Sequence, residues 1–97
     1  MYFITALQSN PRPGQPYKRC FGFHLDLFTA IDSVSDNVGN MHECIYDYIV
    51  IEHFSPGIHP IADNDVWFRW SEDAPVGWAK MDHKPSEFEG IINFAIG

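Results

Sequence analysis

Three consecutive aliphatic residues, Ile49-Val50-Ile51, sit inside the run Tyr46-Asp47-Tyr48-Ile49-Val50-Ile51-Glu52-His53-Phe54. Successive side chains of a strand point to opposite faces, so a strand with this centre is apolar on both. Such a strand belongs in the middle of a sheet, and the rest of the chain has to supply its neighbours. With 97 residues there is material for one core and one domain, residues 1–97.

Partner strands are readable on both sides. Tyr2 to Leu7, YFITAL, is β-branched and aromatic and fits a first strand. Ser9 to Lys18 holds three prolines and a glycine, which forbid regular structure. Arg12, Lys18 and Arg19 lie in or beside this loop, half of the six cations in the chain. It reads either as a solvated hairpin loop or as a contact loop. Arg19 to His24 is a second strand, in which Gly22 marks a bulge or a close backbone approach.

Asp26 can then cap a helix whose stripe is Leu27, Ile31, Val34 and Val38, with Gly39 as the closing glycine. Asn40 to Glu43 resembles a capping box and predicts one or two further turns through Cys44 and Ile45. After the central strand, Ser55-Pro56-Gly57 is a turn and Gly57-Ile58-His59-Pro60 an irregular segment. Val66 to Trp70 alternates, with Val66, Phe68 and Trp70 on one face and Trp67 and Arg69 on the other. Trp78 to Met81 returns, so 66–81 is a hairpin. Ser86 and Glu89 form a second capping box, with Phe88, Ile91, Ile92 and Ala95 on one helical face. Gly90 weakens that helix by about 1 kcal/mol, which keeps a strand over Ile91 to Ile96 as the alternative. The expected fold is α+β: a single small antiparallel or mixed sheet of about five strands, with two to three helices packed on one face.

Charge narrows the function. Thirteen Asp plus Glu stand against six Lys plus Arg, for a net charge of −7. Such a chain is repelled by phosphate backbones and anionic membranes, so direct nucleic-acid and membrane binding are not expected. No apolar stretch approaches the ~20 residues a membrane span needs, and Met1–Leu7, short and without a basic start, is not expected to belong to a signal peptide. Two cysteines, Cys20 and Cys44, are too few for the disulfide framework of a small secreted domain. A cytoplasmic protein with two buried, inert thiols is the expectation.

Catalytic signals are weak. Five histidines, His24, His42, His53, His59 and His83, accompany the two cysteines, but no CxxC, HxxxH or HExxH spacing occurs, so no metal is expected. Glu43 and Glu52 could be imagined as a glycosidase pair, but the chain has little room for a sugar cleft. No glycine-rich phosphate loop exists and no cofactor is expected. The chain reads as a non-enzymatic binding protein.

Two clusters could do the binding. Asp32, Asp36, Asp63, Asp65, Glu72 and Asp73 fall on the helix and in loops around the hairpin. Carboxylates spread over a rigid body can imitate a phosphate track and occupy a basic nucleic-acid groove. Alternatively, Arg19, Tyr46, Tyr48, Trp67 and Arg69 could clamp a planar anionic small molecule such as a nucleotide, by stacking plus charge. An accessory subunit is a third expectation, and a homodimer is an assembly the sequence allows. The rings, 15% of the residues, serve either as core or as binding surface.

Arg19-Cys20-Phe21-Gly22, Tyr46 to Glu52, Gly57-Ile58-His59-Pro60, Trp67-Phe68-Arg69-Trp70 and the ending Asn93-Phe94-Ala95-Ile96-Gly97 resemble a family of small uncharacterised proteins. These come from Gram-positive gut bacteria, their phages and mobile elements. The resemblance implies a context and no activity. Short acidic proteins of that origin often inhibit host defence, as anti-CRISPR proteins and sequesterers of nucleotide signals do. The proline-rich loop at 11–16 stands as an insertion relative to the usual pattern.

Overall fold

The structure, a computed structural model, describes residues 1–9, 18–42, 46–57, 62, 64–89, 91 and 93–95. Five strands form one antiparallel sheet: β1 (Tyr2–Leu7), β2 (Lys18–His24), β3 (Tyr48–His53), β4 (Asn64–Ser71) and β5 (Gly77–Met81), in the order β2-β1-β3-β4-β5. The doubly apolar strand β3 is the central one, between β1 and β4. Its register sets Ile51 between Ile4 and Val66, and Ile49 between Ala6 and Phe68.

The sheet separates two cores. On one face Ile4, Ala6, Ile49, Ile51, Phe68 and Trp78 pack against Ala30 and Val34 of the helix α1 (Leu27–Ser35). On the other face Leu7, Val50 and Trp67 pack against Phe88 and Phe94 of the C-terminal segment. Strand β3 is buried on both sides because each face has its own cover.

α1 begins as expected. Asp26 has extended backbone angles and its Oδ2 accepts from the Thr29 amide at 2.9 Å. Replacing Asp26 by Ala is expected to cost about 1 kcal/mol, read as a lowered urea midpoint with an unchanged slope. The end of the helix differs from expectation. Asn37, not Gly39, is the first left-handed residue, at φ 49. The Val38 amide donates to Ser33 O and the Asn37 amide to Val34 O, the paired bonds of a Schellman ending. Asn tolerates this conformation, so the helix stops a turn early. Val38 leaves the stripe and is exposed, and Ala30 takes the buried place.

Other helices are corrected too. Asn40 has φ 53, whereas a residue that caps a helix N-terminus is extended, and Asn40, Met41 and His42 are not helical. Residues 43–45 of that expected turn lie outside the described residues. The C-terminal helix is reduced to one 3₁₀ turn, Ser86–Phe88, and among the described residues 91 and 93–95 there is no strand either. A ten-residue helix containing Gly90 gains little from propensity and would have to be held by packing. Here the amides of Phe94 and Ala95 are bonded elsewhere, to Glu52. Among the described residues the outcome is one α-helix on one face, with one 3₁₀ turn and residues 91 and 93–95, which are neither helix nor strand, on the other. Cys20 is also corrected: it lies on the outermost strand and is exposed, with its thiol 3.8 Å from Gly22 O. Cys44 lies outside the described residues.

Candidate functional site

The helix end and the β4–β5 hairpin are stapled together. The left-handed Asn37 turns its Oδ1 to the Trp78 indole N–H at 3.1 Å and to the His42 amide at 3.4 Å, while its Nδ2 donates to Asn40 Oδ1 at 3.2 Å. Trp78 lies opposite Trp70 across the hairpin, with ring centres 5.2 Å apart and edge to face. His42 lies flat on Trp70, 4.1 Å away at an interplanar angle of 6°. The carbonyl of Tyr46 can only accept, so His42 Nδ1 carries the proton of their 3.0 Å bond. The other nitrogen, Nε2, lies 3.9 Å from Glu72 Oε1, which also accepts from the Trp70 indole at 3.0 Å.

Around this staple stand Asp32, Asp36, Glu72 and Asp73, all exposed. Asp32 and Asp36 are four apart and share the solvent side of α1. Asp36 is the C-cap and no basic residue lies in the last turn. The C-terminus of a helix carries partial negative charge, so carboxylates there are disfavoured by a few tenths of a kcal/mol each. No Lys or Arg stands between Arg19 and Arg69 to offset them. Among the described residues none is within ion-pair distance of Asp32, Asp36 or Asp73. Exposed Val38 and Val76 lie among these acids in the chain.

The remaining acids expected on this face are elsewhere. Asp65 is near the opposite end of β4, seven residues from Glu72, or ~23 Å along a strand. Its Oδ2 accepts from the Trp67 indole at 2.8 Å, and it is paired in register with Glu52. Asp63 lies outside the described residues.

The aromatic and arginine cluster is divided by the sheet. Tyr48, Trp67 and Arg69 are on the face covered by the C-terminal segment, with Tyr48 opposite Arg69. Trp67 is 2% exposed, stacked on Phe88 at 5.6 Å and met edge-on by Phe94 at 5.2 Å, so its ring is core. Burial first, then a hydrogen bond to Glu87 and that carboxylate's charge, push the Tyr48 phenol above its ordinary value. Tyr46 is buried in the helix-side core, edge-on to Phe21, and the Arg19 guanidinium lies 4.8 Å above the same Phe21 ring. The two arginines thus stand on opposite sides and do not converge on one ligand.

Two features went unread in the sequence. The His42–Trp70–Trp78 stack needed the contact between residue 42 and the hairpin, although the Trp70–Trp78 pairing follows from the hairpin itself. Glu52, 1% exposed, is a buried carboxylate that accepts from Phe94 N at 3.2 and 3.0 Å and from Ala95 N at 2.9 Å. Burial raises its pKa above the usual carboxylate value. The amides of Ala95 and Phe94 and the charge of Lys18 work against that rise, and Asp65 adds to it.

Among the described residues no three His, Cys, Asp or Glu side chains come together as a metal site, and no helix is long and apolar enough to cross a membrane. No protein-family model, no curated protein and no solved structure matches the chain.

Proposed function

We propose that this protein is a non-catalytic binding module whose acidic end, where α1 meets the β4–β5 hairpin, docks onto a basic protein surface. One observation carries the reading: Asp32 and Asp36 sit at a helix C-terminus that disfavours them, Glu72 and Asp73 stand on the adjoining hairpin, and among the described residues no Lys or Arg is within ion-pair distance of Asp32, Asp36 or Asp73. Charge kept against local electrostatics is charge available to a partner, and it steers association with a basic groove. The staple of Asn37, His42, Trp70 and Trp78 holds the two acidic elements in fixed relation, which lowers the entropy lost on docking. The partner class with matching chemistry is a nucleic-acid-handling complex, a CRISPR effector among them, and the source would be a phage or mobile element. The nucleotide-clamp alternative is not favoured by the divided arrangement of Arg19 and Arg69.

The test is competition between the chain and duplex DNA for a CRISPR effector. Displacement should weaken steeply as salt rises. Reversing Asp32, Asp36, Glu72 and Asp73 together to Lys should weaken it by about tenfold or more, whereas reversing Asp65 and Asp82 should leave it within about twofold. Competition that survives the fourfold reversal removes the acidic end as the docking surface.

A further inference from the structure

Strand β2 is an outer strand of the sheet: β1 takes one side, and among the described residues no strand takes the other. In an antiparallel ladder alternate residues turn their N–H and C=O outward, so the stretch Arg19 to His24 of this edge presents backbone groups to a further strand, the Gly22 carbonyl being met there by the Cys20 thiol at 3.8 Å. Edges of this kind are commonly blunted by proline or by charges spread along them. β2, KRCFGFH, has no proline, and its Lys and Arg are confined to one end. At and past its other end the surface is apolar: Phe23 within the strand and Leu25 and Phe28 beyond it are 52%, 80% and 74% exposed. The register shifts between Ile4 and Thr5, opposite Gly22 and Cys20, and this bulge keeps Phe21 on the helix-side core. It leaves Gly22, with φ 133 and open space where a Cβ would stand, at the middle of the edge. A backbone can approach closely there.

We propose that β2 pairs antiparallel with β2 of a second copy of this chain, about a two-fold axis near Gly22, to give one continuous sheet through both copies. Charge selects the occupant and the direction. Parallel pairing would set Lys18 and Arg19 of the two copies side by side. Antiparallel pairing sets them beside the second copy's His24, Leu25 and the exposed Asp26. An edge with a cationic end and an acidic, apolar end is complementary to itself, which a two-fold contact requires. The apolar Phe23 and Leu25 then lie against the aliphatic stems of the second copy's Lys18 and Arg19. Glu72 and Asp73 of the acidic docking end lie toward β5, four strand spacings or ~19 Å away, whereas Val38 and Gly39 after α1 line a cavity together with Phe21 to His24 of β2.

The experiment uses the full chain with Cys44→Ser, so that Cys20 is the one thiol. Sedimentation equilibrium should give twice the chain mass, and a bismaleimide with a spacer of ~13 Å should join two Cys20 side chains. In the proposed register they lie three to four residues apart along the new ladder, ~11–14 Å from each other. Leu25→Glu and Phe23→Lys should each raise the dimer dissociation constant by about tenfold or more and abolish cross-linking in proportion. Dispersed amide spectra would show that the folded monomer remains. A monomer at every concentration overturns the proposal. So does a dimer that resists both substitutions, or one in which Cys20 is not cross-linked.

Discussion

Glu52→Ala is expected to be the most destabilising substitution that deletes no aromatic ring. It strips the acceptor from the amides of Phe94 and Ala95, which the side chain bonds at 2.9–3.2 Å. Leaving a buried donor unpaired costs about 1–3 kcal/mol, so roughly 3–5 kcal/mol is lost in all. For a domain of this size that is a fall in melting temperature of roughly 15–30 °C. The C-terminal residues should lose hydrogen-exchange protection ahead of the sheet.

The same carboxyl predicts a pH dependence. Burial holds its folded pKa above the unfolded value. The folded chain therefore binds this proton more tightly than the unfolded chain does. The resulting contribution to stability is fully present below the ordinary glutamate range and is lost as pH rises through the folded value. Above that it is level. Glu52→Gln keeps an acceptor oxygen and cannot ionise. The stability of wild type minus that of Glu52→Gln should fall as pH rises from the ordinary glutamate range through the raised folded value, and then flatten. Urea midpoints across that range measure it, and a constant difference would mean that Glu52 is equally solvated in both states.

Trp67→Ala has the second large effect. The ring fills the space between β4 and the C-terminal cover and contacts both Phe88 and Phe94. Deleting a buried Trp costs about 3–5 kcal/mol, visible in the urea midpoint and in loss of the buried component of tryptophan fluorescence. Because Trp67 and Glu52 secure the same segment, the double variant should be less destabilised than the two singles added together. A coupling of about 0.5–3 kcal/mol is expected. Strict additivity would show that the carboxylate and the ring hold the segment independently.

Much of the sheet was legible because its signals are local. The alternation of Val66, Phe68 and Trp70 with Trp67 and Arg69 placed each side chain on its observed face. Ile49-Val50-Ile51 announced a central strand, and Asp26 announced a helix start. What stayed hidden depends on distant residues. Nothing near Phe88 or Phe94 says that they cover the sheet face opposite α1, because that position is set by a carboxylate 42 residues away. Asn37 was passed over because Gly39 offered the commoner helix stop, yet the Asn side chain has two further partners in this fold. Of the six acids expected on one face, Asp32, Asp36, Glu72 and Asp73 are exposed on α1 and the hairpin, Asp65 serves the indole of Trp67, and Asp63 lies outside the described residues.

The strand order carries a kinetic consequence. β1 pairs with β2, β3 with β4, and β4 with β5, each with its neighbour in sequence, while the β1–β3 ladder alone joins strands that are not consecutive. Two pieces, β1-β2-α1 and β3-β4-β5, can therefore form early and separately at small loop-closure cost. Their meeting along β1 and β3 buries Ile49 and Ile51 under α1 and is expected to be the step that commits the chain to the native state. Changes along that seam should slow folding, whereas changes at Glu52 or Trp67, whose partners arrive afterwards, should chiefly hasten unfolding.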